Sequence, residues 1–152
     1  MTVLLRDIVG ALEMQFDESS SFLDLDTGQI ETVSKDLLSE AAEPDAEEPD
    51  LPDWQTKEWE TAKRIISTDR FFVLPTKFDV HEWEIMQEFA NSVESDQVRN
   101  ELLNAIHGRG AFRFFKDTVR RRSIEPVWFE FRTAALRQIA IDWCEEHHIS
   151  WR

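Results

Sequence analysis

The sequence contains no tyrosine and a single cysteine, Cys144. The first absence removes a common general acid and nucleophile. The second excludes an internal disulfide and suits a reducing compartment. No apolar run reaches the length a bilayer span needs, and no charged-then-apolar leader opens the chain. A soluble, cytoplasmic protein with no membrane partner is therefore expected. Positive charge is scarce early in the chain. Residues 1–60 hold three Lys/Arg against seventeen Asp/Glu, while the remainder holds fourteen of each, so the whole net charge of −14 falls in the N-terminal part. Nucleic acid is repelled there, and a phosphate-bearing partner has to approach the C-terminal half. There is no internal repeat and no complete catalytic motif.

What the chain does have is material for a core. Apolar residues make up 41 %, with eleven Phe and six Trp among 152 residues. That length buries roughly two thirds of the unfolded surface, and a single domain over residues 1–152 is expected.

Hydrophobic periodicity predicts a first helix from Val3 to Phe16, with Leu4, Ile8, Leu12 and Phe16 on one face. From Ser20 to Ser34 the period changes. Phe22, Leu23 and Leu25 precede Asp26-Thr27-Gly28, and Ile30 and Val33 follow, which is a hairpin signal. Residues 41–53 carry Pro44, Pro49 and Pro52 among closely spaced acids, the pattern of a mobile linker or insertion. A helix follows from Trp54 to Ser67, and Phe71 to Leu74 makes a third strand for the hairpin.

Asp79 with Glu82 forms a capping-box pattern, and Phe78 with Trp83 a hydrophobic staple, so a helix is expected to start there. Its apolar stripe is Trp83, Met86, Ala90 and Val93. The next helix faces the core with Val98, Leu102, Ala105 and Ile106, and Gly108 ends it. Gly110 to Arg121 forms another helix. Pro126 suits the first turn of a last one, which reaches about His147 and points Trp128, Phe131, Ala135, Ile139 and Trp143 inward. The expected class is α+β, a small antiparallel N-terminal sheet packed with a mainly helical C-terminal bundle.

Several segments also resemble a known family when taken in order. They are Phe22-Leu23-Asp24-Leu25-Asp26-Thr27-Gly28, Leu74-Pro75-Thr76-Lys77-Phe78, Met86-Gln87-Glu88-Phe89, Ile106 to Arg113, Trp128-Phe129-Glu130-Phe131 and Ile141 to Glu146. Together they resemble the bacterial Uncharacterised Protein Family 0158 over nearly the whole chain, most specifically from His107 to Lys116. The resemblance implies class and context and supplies no catalytic residue. Where many members have a glycine-containing C-terminus, this chain has His147-His148-Ile149.

The strongest candidate for function is the segment from His107 to Arg122. At 100° per residue, Arg109, Arg113, Lys116 and Arg120 fall within about 60° on one helix face. Phe112, Phe115 and Val119 are expected to anchor an adjacent face to the core. Gly108 and Gly110 let the backbone approach a ligand, helix-start amides attract anions, and Arg121 and Arg122 extend the positive surface. The anion-binding candidates are thus His107, Gly108, Arg109, Gly110, Arg113, Lys116 and Arg120. Their ligand would be a phosphate-bearing molecule or a nucleic-acid backbone. The alternative is structural: glycines that turn one helix into the next, and arginines paired with local acids.

Other motifs read more simply. Asp26-Thr27-Gly28 matches the aspartic-protease signature, but one copy in a charged turn reads as a hairpin. Asp24 and Asp26 share a sheet face, and solvated strand residues are expected because a hard cation wants more oxygen ligands. His147 and His148 diverge on a helix, His107 has no nearby Cys or Ser, and Cys144 beside Glu145 is expected to be inert packing. No cofactor and no metal site is expected. The leading reading is a non-enzymatic binding or regulatory protein with an anionic partner at residues 107–122. The rivals are a protein–protein module using the acidic segment 43–53, which could also cover the basic helix, and a hydrolytic or nucleotide-processing enzyme using His107.

Overall fold

A computed structural model describes residues 1–152. The chain is α+β, and its contacts divide it into two units, Met1–Thr76 with Ala140–Arg152, and Lys77–Ile139.

In the first unit, α1 (Leu5–Glu13) buries Leu5, Ile8, Val9 and Leu12. The expected face ran through Phe16 instead, but the helix stops at Glu13 and leaves Phe16 exposed. β1 (Ser19–Asp24) and β2 (Ile30–Ser34) form the hairpin, with Leu23 opposite Ile30. Gly28, at a φ of 75°, donates its amide to the Asp24 carbonyl at 2.8 Å and closes the turn, a left-handed conformation that glycine adopts without penalty. β3 (Phe71–Val73) pairs antiparallel with the other side of β1, giving the order β2-β1-β3.

A short helix absent from the sequence expectation, α2 (Lys35–Ala41), follows the hairpin. Ser34 caps it by accepting from the Leu37 amide at 3.1 Å. With α3 (Asp53–Ser67) it builds a satellite core of Leu37, Ala41, Trp59 and Ala62. Ala46 and Leu51, from the Pro-rich acidic segment, pack against that cluster. That segment therefore has apolar anchors, and Glu47, Glu48 and Asp50 stand between them. At the chain ends, Val3 and Trp151 form a parallel bridge, with Val3 N–H donating to Ser150 at 2.9 Å and Arg152 N–H donating back to Val3 at 3.0 Å.

The second unit is helical. α4 (Lys77–Val80) is followed by α5 (Glu82–Ser92), α6 (Asp96–Ala105), α7 (Ala111–Arg121) and the start of α8 (Glu125–Glu146). The expected capping box is corrected here. Asp79 lies inside α4, and α5 begins only after His81, which takes a left-handed φ of 52°. The staple fails as well: Phe78 is exposed, and Trp83 instead donates its indole N–H to the Ile106 carbonyl at 2.9 Å. That carbonyl ends α6 and would otherwise lack an intrahelical partner. Ser95 caps α6 by accepting from Val98.

The core of this unit is aromatic. Phe89 meets Phe115, Trp128 and Phe131 edge-on, with centroids 6.2, 5.3 and 5.4 Å apart, and Phe115 meets Trp128 at 4.8 Å. Along α8, Trp128 and Leu136 are buried in this unit and Ala140, Trp143 and Cys144 in the first, while Phe131, Ala135 and Ile139 are half-buried. The inward face is thus shifted by about one residue from the expected one after the first two turns. No helix is long and apolar enough to cross a membrane.

Candidate anion-binding surface

The α6–α7 turn is built on two glycines. Gly108 and Gly110 have φ of 85° and 73°, and Gly110 is the residue preceding α7. A β-carbon on Gly110 would sit 3.2 Å from the Phe114 ring, so both its conformation and the ring above it favour glycine. His107 and Arg109 are exposed in this turn. The expectation placed Arg109 on the helix face, but it precedes α7 and belongs to the loop.

Within α7 the buried residues are Phe115, Thr118 and Val119. Thr118 is accommodated because its hydroxyl donates to the Phe114 carbonyl at 2.8 Å. This arc leaves Phe112 at its edge, and the ring is 49 % exposed. Phe112 is therefore not the core anchor expected of it. Centring the apolar arc on the i, i+3, i+4 set of 115, 118 and 119 would have placed it correctly, but Thr118 reads as polar in the sequence.

Arg113, Lys116 and Arg120 are exposed along the opposite side of the helix. Neither Arg109, Arg113 nor Lys116 makes a carboxylate ion pair; the Arg113 guanidinium lies 5.5 Å from the centre of the Phe114 ring. Arg120 reaches Glu125 at 3.4 Å, an exposed pair of the kind that contributes little. Lys116 and Arg120 also line a pocket of about 170 Å³ with Val119, Glu125, Trp128 and Phe129.

The last two arginines depart from expectation. Arg121 and Arg122 turn away from the stripe to Glu101 on α6, Arg122 through a two-point contact whose Nε–Oε2 distance is 2.7 Å. Hydrogen bonding from Arg122, which outweighs the opposing effect of burial and is joined by the charge of Arg122 and by the hydrogen bond and charge of Arg121, lowers the Glu101 carboxyl from 4.5 to about 2. A carboxylate whose folded value is depressed stabilises the fold fully above its unfolded value and loses that contribution as pH falls toward the folded one. The clamp is thus intact above pH 4.5 and is lost between there and about pH 2. Urea midpoints of Glu101→Gln and the parent chain should differ by a constant amount above pH 4.5 and converge toward pH 2. A gap that stays unchanged across that window would refute the assignment.

The remaining candidates are structural. Asp26 is exposed in the hairpin, and its amide donates to Asp24 Oδ1 at 2.9 Å. Asp24 was expected to be solvated, but it is only 2 % exposed and pairs with Arg70 at 3.2 Å. His147 packs on Phe72 and Trp143, and its Nδ1 lies 2.8 Å from the Trp143 carbonyl. Cys144 is buried, and burial, with Glu145 adding to it, pushes its thiol up to about 11.

Comparison with known proteins supplies kinship. A stretch of 66 residues is 30 % identical to UPF0158 protein PA5073 of Pseudomonas aeruginosa. It spans 43 % of this chain and 43 % of that relative, less than half the length of either. No solved structure matches the chain. The Uncharacterised protein family (UPF0158) matches residues 1–152, and the chain belongs to that family.

Proposed function

We propose that this is a non-enzymatic binding protein that holds a phosphate-bearing anion on the surface of α7 and the turn before it. One observation carries the reading. Of the six cations between His107 and Arg122, the last three have carboxylate partners, and Arg109, Arg113 and Lys116 have none. The same stretch holds a single acid, Asp117, so the charge there is local and positive within an acidic chain. Guanidinium and ammonium donors on an exposed face suit phosphate oxygens, arginine through two parallel bonds and lysine as a point charge.

The test uses inorganic polyphosphate as a charge-only probe in titration calorimetry at several salt concentrations. Binding should weaken as salt rises. Replacing Arg109, Arg113 and Lys116 together with alanine should reduce affinity by about tenfold or more, since each charge-assisted contact is worth over 1 kcal/mol. All three side chains are exposed, so the fold should be retained. Unchanged affinity in the triple variant would overturn the reading.

A further inference from the structure

We infer that the anion is a single-stranded nucleic acid, its phosphates on the cationic stripe and its bases against exposed aromatic rings. This inference rests on the proposed anion-binding role of α7 and specifies the ligand.

Two rings next to the cations stand in solvent. Phe112 and Phe129 are 49 % and 54 % exposed, and neither takes part in the ring contacts of the aromatic core. Phe114 is 46 % exposed as well, but its ring already lies against Gly110 and beside the Arg113 guanidinium. Exposed phenyl groups cost free energy in water, and their place beside cations suits a partner that carries both charge and flat apolar faces. Phe112, Lys116 and Arg120 form one i, i+4, i+8 row, its members about 6 Å apart along the helix axis. Lys116 and Arg120 continue that row into the pocket, where Trp128 and Phe129 are also lining residues.

The size of the pocket decides between an enclosed mononucleotide and an extended strand. At about 170 Å³ it falls below the roughly 300 Å³ at which small-molecule pockets begin. It can take one ring or one phosphate group while the rest of the ligand lies outside. Duplex DNA fits poorly, because its bases are already stacked and their faces cannot reach Phe112 or Phe129. Unpaired bases present those faces, and a strand has phosphates for several cations at once. The acidic charge of residues 1–60 confines such a strand to the C-terminal part of the chain.

The experiment measures fluorescence anisotropy with the full chain and a labelled single strand of about 12 nucleotides, within the usual footprint of one site. The comparison probes are an abasic strand of equal length, the matching duplex and inorganic polyphosphate, with DNA and RNA strands run side by side. The base-bearing strand should bind more tightly than the abasic strand or the duplex, with a logarithmic salt slope of about −2 for three neutralised phosphates. Phe112→Ala with Phe129→Ala should weaken the base-bearing strand about fivefold or more and leave the abasic strand unaffected. Both rings are exposed, and an unchanged circular dichroism spectrum and melting midpoint would confirm that the variant is folded.

Equal binding of base-bearing and abasic strands, no effect of removing the rings, or preference for the duplex would each overturn the inference. In those cases polyphosphate binding lost in the triple cation variant would leave the anion-binding reading standing. Failure of every probe to bind would overturn both.

Discussion

Replacing Phe115 with alanine is expected to destabilise the helical unit by about 4 kcal/mol, the range found for emptying a fully buried aromatic site. The ring has no solvent exposure and makes edge contacts with Phe89 and Trp128 at 6.2 and 4.8 Å, so its loss leaves a cavity walled by rings that cannot readily collapse. Phe115→Leu, which keeps most of the volume, should lose only about 1.5 kcal/mol. Urea unfolding followed by tryptophan fluorescence would measure both, with Trp128 in direct contact with the altered site. A Phe115→Ala loss below about 1 kcal/mol would mean that the aromatic cluster can repack, contrary to its fully buried position. Because Phe115 is the buried side of α7, the same variant should also loosen the stripe of Arg113, Lys116 and Arg120 on its outer side.

Arg70→Ala is the second large effect, expected at about 2–3 kcal/mol. Removing one partner of a buried ion pair commonly costs about 3–5 kcal/mol, because the other charge stays buried. A lower figure applies here since the Arg70 side chain is 31 % exposed and water can reach its place. The carboxylate of Asp24 is 3 % exposed and would keep only the Asp26 amide as a donor. Asp24→Asn with Arg70→Met should recover most of the loss, because neither a charge nor an unpaired guanidinium is then left behind. Chemical denaturation of the two variants and the parent separates the cases. A double variant as unstable as Arg70→Ala alone would show that packing of Arg70 on Phe71, where its guanidinium lies 5.2 Å from the ring centre, is the larger contribution.

Local chemistry decided which parts of the fold were legible. The hairpin follows from Asp26-Thr27-Gly28 because a left-handed glycine turn needs no distant partner, and Pro126 marks the start of α8 because its ring pre-sets a helical φ. α2 was missed since seven residues are too few to establish a helical period. The capping box at Asp79 has the right residues at the right spacing, yet the chain breaks at His81 in a conformation that non-glycine residues rarely take. Nothing in the local pattern marks that break.

The candidate site divides in the same way. That Arg113, Lys116 and Arg120 share a face follows from helical geometry alone. Which arginines keep their charge available does not, because Glu101 lies 20 and 21 residues before Arg121 and Arg122. The exposure of Phe112 depends on Thr118 being buried with its hydroxyl satisfied inside the helix, a detail that hydrophobicity does not register.

The bridge between Val3 and Trp151 bears on the order in which the chain acquires its structure during synthesis. Residues Met1–Thr76 emerge from a ribosome first, yet their unit is finished only by Ala140–Arg152. At about 5–20 residues per second, the interval between those two segments is roughly 3–13 s. For all of that time the amides of Val3 and Leu5 lack the carbonyls of Ser150 and Arg152, and the first helix has no terminal segment beside it. Lys77–Ile139, contiguous in sequence, can close on itself within the same interval. A nascent-chain chaperone would thus meet the helical unit closed and the sheet-bearing unit still open.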